Sequence, residues 1–213
     1  PNTDTLLNTH NGVLISQENG TAKVYFIPHD LVNLQTYGGG FLNAIPTPIN
    51  LVSEPNRLLC VGVCAAVDGT QIFVWAGSVE GQLYRWDLNV GQSESGLRLA
   101  SNTPSLTIDI GKRAMPWCLE VIAQSLTSNP QVYCGDSEGN VTIWDGEMGV
   151  LVQHLAYHKA DILQLIFSPN LEYMFTGGVD NALCVYQKTK KNKSTWVFQG
   201  RTRSHSHDIY SIV

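Results

Sequence analysis

The sequence lacks any apolar run that approaches the roughly 20 residues a membrane-spanning helix needs. Its first residues, PNTDTLLNTHNG, lack the basic stretch followed by an apolar stretch that marks a secretory signal. Charged residues are also scarce, at 15% of the 213 residues, whereas 43% are hydrophobic. We therefore expect a globular chain that buries a core, with no membrane partner, rather than a disordered or fibrous one.

Cysteines are few and odd in number: Cys60, Cys64, Cys118, Cys134 and Cys184. Four of them lie in apolar runs that read as strands or the starts of strands, which predicts buried thiols in a reducing compartment rather than a disulfide framework. Structural zinc takes four ligands, and no second Cys/His pair at zinc-like spacing accompanies the first two cysteines. We expect neither a metal nor another cofactor.

Acidic residues are missing from one stretch. Residues 1–187 carry 7 Lys/Arg against 17 Asp/Glu, whereas residues 188–207 carry 6 Lys/Arg and no acid. Such a cluster can contact phosphates or a partner, because each neutralised phosphate releases counterions. The alternative is a solvated hairpin loop. The candidate contact residues are Lys188, Lys190, Lys191, Lys193, Arg201 and Arg203.

A repeat organises the chain, and four segments align without gaps: LISQENGTAKVYF, WAGSVEGQLYRWD, YCGDSEGNVTIWD and FTGGVDNALCVYQ. Each predicts a β-hairpin, because a residue that tolerates positive φ follows an acidic or amide residue between two alternating stretches. The four turn residues are Gly20, Gly81, Gly139 and Asn181.

An aromatic residue follows each turn residue by five positions, at Tyr25, Trp86, Trp144 and Tyr186. The spacings between these aromatics are 61, 58 and 42 residues, and the shortest is typical of a propeller blade. The longer spacings predict insertions, which we place at the Pro- and Gly-rich residues 28–55 and the Ser- and Asn-rich residues 89–105.

The repeats resemble the WD-repeat β-propellers, whose sequence signature includes the Trp-Asp dipeptide. The dipeptide occurs twice here, as Trp86-Asp87 and Trp144-Asp145. The fullest unit, HKADILQLIFSPNLEYMFTGGVDNALCVYQ, follows the family's order of His, strand, Ser-Pro turn, strand, acidic turn and aromatic strand.

That fullest unit begins at His158 and has Tyr186 where the family has Trp. The resemblance implies that His158, Thr176, Asp180 and Tyr186 form the hydrogen-bonded tetrad that braces a blade. The Tyr leaves the completeness of this tetrad open.

The predicted fold class is therefore all-β, a partial WD-repeat β-propeller with about three complete four-stranded blades, roughly half of a seven-blade ring. HKADI at His158 recurs as HSHDI at His205, which indicates the start of a further blade. We place the end of one blade at 13–37 with an insertion at 38–56, blades at about 58–110, 114–156 and 158–200, and the opening strand of the next at 205–213.

An open half-ring exposes apolar blade faces that monomers rarely leave in water. We therefore expect the chain to be a piece of a longer one. The remaining blades should come from the same parent chain or from a partner.

Two features of the sequence can be mistaken for catalytic motifs. Gly135-Asp-Ser137-Glu-Gly139 matches the G-x-S-x-G pattern of the hydrolase nucleophile elbow, which requires a helix after the Ser. Here a predicted strand, NVTIWD, follows instead. His158 and Asp180 can be mistaken for a catalytic pair, but a paired His and Asp inside a blade satisfies buried polar groups. We expect a protein that is not an enzyme and has no catalytic residues.

The fold alone supports only an interaction platform. The C-terminal stretch TWVFQGRTRSHSHDIYSIV, with GDSEGNVTIWDGEMGVLVQHL before it, resembles the cirhin-like tandem-propeller subunits of the small-subunit processome. That resemblance implies a nucleolar scaffold in ribosome biogenesis that binds other subunits near the precursor rRNA. The alternatives are a WD-repeat adaptor of another complex, in ubiquitin ligation, trafficking or chromatin and with a cytoplasmic location open, and direct RNA binding.

Overall fold

The structure, a computed structural model, describes residues 10–16, 21–28, 49–52, 57–65, 71–90, 97–99, 103–123, 129–189, 195–203 and 205–212. These residues form sixteen β-strands in four antiparallel sheets and contain no helix. The all-β prediction is confirmed, and the architecture is consistent with a partial WD-repeat propeller. No helix among the described residues could span a membrane.

Sheet 1 has three strands, in the order β1-β2-β3. They are β1 (His10–Ser16), β2 (Thr21–Pro28) and β3 (Ile49–Val52). β3 lies within the stretch predicted as an insertion, and its four residues pair with the start of β2.

Sheet 2 has five strands, in the order β4-β5-β6-β7, with β8 also paired to β6. They are β4 (Leu58–Ala65), β5 (Gln71–Ser78), β6 (Gln82–Val90), β7 (Leu97–Leu99) and β8 (Leu106–Asp109). β7 pairs with the end of β6 and β8 with its start, so two short strands share one long edge.

Sheet 3 has four strands, in the order β12-β11-β10-β9. They are β9 (Pro116–Ile122), β10 (Gln131–Asp136), β11 (Asn140–Asp145) and β12 (Leu151–Ala156). Each strand pairs with the next along the chain, as a meander does.

Sheet 4 has the same order, β13-β14-β15-β16. Its strands are β13 (Ile162–Phe167), β14 (Tyr173–Gly178), β15 (Leu183–Lys188) and β16 (Trp196–Thr202). The outermost strands of sheets 3 and 4 both carry a register shift, with Val152 and Gln199 as the extra residues.

The hairpin turns have the backbone that the sequence predicts. Gly81 and Gly139 have φ of 77° and 81°, and Asn181 has φ of 58°. Only residues that tolerate the left-handed region fit there at low cost. Gly20, the fourth predicted turn residue, lies outside the described residues.

Successive sheets contact each other mainly through their first two strands. β4 and β5 contact β9, and β9 and β10 contact β13. First strands that lie close together are what a propeller has around its axis. The apolar core therefore lies between sheets rather than inside one. Between sheets 2 and 3 it includes Phe73, Trp75, Leu83, Val121 and Val132, and between sheets 3 and 4 Tyr133, Ile143, Leu165, Met174 and Trp196.

A glycine on the second strand permits this close packing. A Cβ at Gly135 of β10 would lie 2.7 Å from Ile162 Cγ2 of sheet 4. A Cβ at Gly177 of β14 would lie 2.6 Å from Ile209 Cγ2 in the same way. Residues 205–212 thus pack on sheet 4 as sheet 4 packs on sheet 3, although they form no strand of their own.

Candidate functional site

The polar centre of sheet 4 is built around His158, which is buried before β13. Its Nδ1 lies 2.9 Å from Asp180 Oδ1, and its Nε2 lies 2.8 Å from Thr176 Oγ1. A carboxylate only accepts hydrogen bonds, so Nδ1–H is the donor, and Nε2 of the neutral ring accepts from the Thr176 hydroxyl. The structure therefore brings together three members of the tetrad that the family resemblance implies.

Asp180 has the largest number of partners in this network. Its Oδ2 accepts from Arg201 at 2.5 Å and from the Lys159 backbone N–H at 2.8 Å, and its Oδ1 accepts from the Ala182 N–H at 3.2 Å. Burial acts to raise the pKa of Asp180, but the hydrogen bonds from Lys159 and His158 and the charge of Arg201 outweigh it. The pKa lies below the ordinary value, so the network stabilises the ionised carboxylate.

Tyr186, the fourth predicted member, is not joined to the others by a hydrogen bond. Its hydroxyl is fully buried and has no hydrogen-bond partner among the described residues. Burial raises the pKa of Tyr186 above its ordinary value. The ring packs edge-on against Tyr157 and Phe198, which stack on each other at 4.0 Å.

The two repeats with a Trp-Asp dipeptide have the Trp of the tetrad but lack the hydroxyl residue that would pair with it. Trp86 and Trp144 each end with a buried indole N–H that has no hydrogen-bond partner among the described residues. In the repeat alignment, Ala76 and Cys134 stand where sheet 4 has Thr176. Neither side chain offers the hydroxyl oxygen that an indole N–H needs.

The Asp residues of the dipeptides order the turns that follow them. Asp145 Oδ1 accepts from the backbone N–H groups of Glu147 at 2.9 Å and Met148 at 2.7 Å. Asp87 Oδ1 accepts from Arg85 Nε and from Ser105 Oγ, both at 2.8 Å. Both carboxylates therefore have a local structural function.

Arg85 is a structural residue that the repeat pattern does not single out. It is buried on β6, stands 5.0 Å from the Phe73 ring centroid, and donates to Gly146 O and Glu147 Oε2 of sheet 3 at 2.5 and 3.0 Å. It therefore connects sheets 2 and 3. The available signal was its place in LYRWDL, where apolar residues on both sides predict an inward position.

Ser137 is held as a turn residue. Its Oγ donates to Arg113 O at 3.2 Å and accepts from the Met115 N–H at 3.0 Å. β11 follows it, and a strand there excludes the strand-turn-helix geometry of a nucleophile elbow.

Three of the six predicted basic contact residues lie in the described part of the chain, and their surroundings differ. Arg201 is paired with Asp180, and Lys188 Nζ lies 5.2 Å from the Trp196 ring centroid. Arg203 is exposed. Lys190, Lys191 and Lys193 lie outside the described residues.

The thiols are free and largely buried. Burial raises the pKa of Cys60 to about 12 and that of Cys64 and Cys184 to about 11, and it also raises the pKa of Cys118 and Cys134. Thiols with such raised pKa values are poor nucleophiles and poor metal ligands. Within the described ranges, no three His, Cys, Asp or Glu residues are placed to hold a metal ion.

An apolar stretch is exposed at the outer edge of sheet 3. Met148 and Val150 are 69% and 57% exposed, and Leu151 and Val152 on the outermost strand are 45% and 44% exposed. The register shift at Val152 turns two successive apolar side chains to solvent, where a regular strand turns one.

No family model matches the chain. It is 28% identical over 143 residues to "U3 small nucleolar RNA-associated protein 4" of Saccharomyces cerevisiae, a match that covers 66% of the chain and 18% of that protein. The protein of the same name in Schizosaccharomyces pombe is 28% identical over 133 residues, or 62% of the chain and 17% of the relative. "Centriole proteome protein 16" of Chlamydomonas reinhardtii is 33% identical over 63 residues, or 30% of the chain and 3% of the relative.

The chain therefore matches less than a fifth of the length of these relatives. Among solved structures, the computationally designed Ika8 protein, a propeller, matches 93% of the chain and 48% of its own length, with a TM-score of 0.60 and 16% identity. That likeness shows the fold alone.

Proposed function

We propose that the chain is part of a non-catalytic WD-repeat scaffold that holds other macromolecules together in ribosome biogenesis. The observation that carries this proposal is the similarity to the U3 small nucleolar RNA-associated proteins of two yeasts over about two thirds of the chain. The C-terminal resemblance to cirhin-like subunits of the small-subunit processome favours the same complex. The scaffold then works in the nucleolus, on pre-18S rRNA, with other protein subunits as partners.

A binding function fits how the polar side chains are used. Ser137 orders a turn, Asp180 pairs with Arg201 and His158, and Arg85 joins two sheets. Each of these groups has a structural hydrogen-bond partner, which is what a framework requires. The outer loops and edges are then left for partners, as in other rigid scaffolds.

We further propose that residues 205–212 open another blade and that the remaining blades come from the same parent chain. Ile209 supports this, because it is buried against Gly177 and its N–H donates to Gly178 O at 3.1 Å. His158, Thr176 and Asp180 then brace the blade that residues 205–212 pack against.

Affinity purification of the full parent protein tests the scaffold proposal. We expect U3 small nucleolar RNA and pre-18S rRNA to co-purify, and a fluorescent fusion to concentrate in nucleoli. A parent protein that stays outside nucleoli and enriches subunits of a ubiquitin ligase, a trafficking coat or a chromatin complex would contradict the proposal and favour the adaptor alternative.

Direct contact with precursor rRNA is a second candidate, and the basic residues 188–207 favour it. Lys190, Lys191, Lys193 and Arg203 should then be changed together to Glu. We expect crosslinking to RNA to fall at least tenfold while co-purification of protein subunits persists, since each lost phosphate contact weakens binding. Lys112 and Arg113, both exposed, give a charge-reversal control of two residues elsewhere in the chain, which should leave crosslinking unchanged.

A further inference from the structure

We propose that the outer edge of sheet 3 binds an extended segment of a partner protein. The segment adds a strand to β12, packs apolar side chains against Val150, Leu151 and Val152, and places a Lys or Arg beside Glu147. This inference rests on the proposed scaffold function, because it supplies the partner surface that such a scaffold requires.

The first observation is that β12 has one open side. It pairs with β11 and with no other strand among the described residues. Every second residue of an edge strand directs its N–H and C=O away from the sheet, where an added strand can pair with them. The register shift at Val152 interrupts the regular ladder, so the added strand pairs with residues 153–156.

This edge also stays open when a ring is completed. The sheets contact each other mainly through their first two strands, and β12 is the fourth strand of sheet 3. The first strands of a propeller surround the axis, so the fourth lies on the circumference. Further blades that close the ring therefore leave this edge uncovered.

The second observation is that β12 lacks the charges that usually protect an edge strand. Natural edge strands discourage pairing with Lys, Pro or other charged residues, and with bulges. β12 and β16 both carry a bulge, but β16 also has Arg201, and the exposed Arg203 follows it. β12, with the sequence LVQHLA, has no Lys, Arg or Pro, and Leu151 and Val152 are exposed on it. The outermost strand is thus protected in sheet 4 and unprotected in sheet 3.

The third observation is that the turn before β12 is already ordered. The Asp145 N–H donates to Val150 O at 2.9 Å, and the Gly149 N–H donates to Asp145 O at 2.8 Å. A Cβ at Gly149 would lie 3.3 Å from Leu106 Cδ1 of sheet 2, and Arg85 fixes the same turn through a backbone carbonyl. Val150 is nevertheless 57% exposed. An apolar side chain on a fixed turn binds a partner without the entropy cost of ordering a loop.

The charges around this turn indicate the kind of partner. Residues 114–158 carry five acidic residues and no Lys or Arg. Arg85 of sheet 2 is shared between Asp87 and Glu147, at 2.8 and 3.0 Å, and the Glu147 side chain is 53% exposed. Lys159 lies beyond the far end of β12, so the excess of acid belongs to the Glu147 end. An apolar edge with one acidic end favours a segment with Lys or Arg there, and disfavours RNA phosphates or a second copy of the same edge.

Fluorescence anisotropy with the full parent protein and a short labelled peptide of alternating Val and Thr tests the edge directly. The peptide carries a Lys at each end. One companion peptide carries Glu at each end, and another carries N-methyl groups on the backbone of its central residues. We expect the first peptide to bind roughly tenfold more tightly than either companion, because one companion reverses the charge that meets Glu147 and the other lacks N–H donors. Equal binding of the N-methylated peptide overturns strand addition, since contact is then through side chains alone.

Substitutions in the parent protein locate the bound peptide. Val152→Lys should weaken binding roughly tenfold, because it adds an edge-protecting charge. Val197→Lys is the matched control and should leave binding unchanged, since Val197 is 45% exposed on the outermost strand of sheet 4 and Val152 is 44% exposed. Glu147→Gln should reduce the preference for Lys over Glu at the peptide ends about threefold, as expected for one exposed ion pair. Glu80→Gln, which removes an exposed carboxylate from a turn of sheet 2, should leave that preference unchanged.

Three results of these measurements overturn the proposal. They are equal losses in Val152→Lys and Val197→Lys, equal binding of the Lys-ended and Glu-ended peptides, and a dimer of the parent protein that Val152→Lys dissociates. The last result would place a second copy on the edge. Peptide binding does not depend on where the parent protein works, so a failure of U3 small nucleolar RNA to co-purify would contradict the proposed complex and leave the docking edge standing.

Discussion

Sheets 3 and 4 have the same strand order, but each keeps different members of the polar brace. Sheet 3 keeps Trp144 but has Cys134 at the position of the brace hydroxyl, whereas sheet 4 keeps His158, Thr176 and Asp180 but has Tyr186. Both sheets nonetheless form, with buried apolar cores on their shared face. Packing between sheets therefore supports the fold, and the brace is an addition whose parts can be lost separately.

The two sheets also differ in how a carboxylate fixes the hairpin turn. Asp136 at the end of β10 accepts from the N–H groups of Glu138 at 2.9 Å and Asn140 at 2.8 Å, without a cation. Asp180 sits two positions later in the repeat and adds Arg201 and His158 to its backbone donors. Burial raises the pKa of Asp136, despite those hydrogen bonds, whereas the pKa of Asp180 is lowered.

The largest expected effect comes from removing the charge of Asp180. Asp180→Asn leaves Arg201 without its ion pair, and breaking one side of a buried pair typically costs about 3–5 kcal/mol. Asp136→Asn is the matched control in sheet 3 and should cost under about 1 kcal/mol, since its charged form is disfavoured by burial. Urea unfolding at pH 7 measures both free energies. Equal costs would show that the two turns depend on charge in the same way.

The same pair should respond to acid in opposite directions. The folded pKa of Asp180 is below its ordinary value of 3.8, so the stability it contributes is complete above that value and is lost as the pH falls through the folded pKa. The folded pKa of Asp136 is raised, so its contribution is complete below 3.8 and is lost as the pH rises through the folded pKa. Unfolding free energies between pH 7 and pH 2.5 test this. Wild type and Asp180→Asn should converge at the acid end.

The contact between sheets 3 and 4 can be broken through its glycine. In Gly135→Ala the new Cβ lies 2.6 Å from Cys118 Sγ and 2.7 Å from Ile162 Cγ2, both in packed strands, so we expect a loss of about 1–3 kcal/mol from overpacking. Gly200→Ala on β16 is the control, because no heavy atom lies within 4 Å of its Cβ position. Thermal unfolding should separate the two variants. A tolerant Gly135 site would mean that the sheets can slide apart at little cost.

The hairpins and their turn residues could be predicted from sequence, because positive φ and alternation are local properties. The left-handed turns at Gly81, Gly139 and Asn181 follow from that logic. The partners of Arg85 could not be predicted, because Gly146 and Glu147 are some 60 positions away and only the stacking of sheets brings them near. β3 and β7 were likewise hidden inside stretches whose Gly, Pro and Ser content reads as loop.

The sequence also could not predict that Tyr186 lacks a hydrogen bond. It shows that a Tyr stands at the Trp position, but not how far its hydroxyl lies from Thr176. The same limit applies to Trp144, whose signature dipeptide predicts a braced indole that the structure lacks. A motif predicts the residue type at a position. Whether the polar atom of that residue finds a hydrogen-bond partner depends on the residue that a neighbouring strand places beside it.

The smallest expected effect would restore part of the brace in sheet 3. Cys134→Thr places a hydroxyl at the position of Thr176, in the sheet where the indole N–H of Trp144 is buried without a hydrogen-bond partner among the described residues. One recovered hydrogen bond is worth about 0.5–1.5 kcal/mol, less the strain of one added heavy atom, so we expect a net gain below about 1 kcal/mol. Urea unfolding measures it.

Cys64→Thr is the control, because Cys64 packs in the same apolar core as Cys134 but does not stand at the position of Thr176, and a hydroxyl there should cost about 1–3 kcal/mol. If Cys134→Thr loses as much as this control, Trp144 does not reach position 134, and the two sheets differ in backbone geometry as well as in residue type. If it gains, the brace is separable from the blade that carries it, because a sheet that folds without these hydrogen bonds can still accept one.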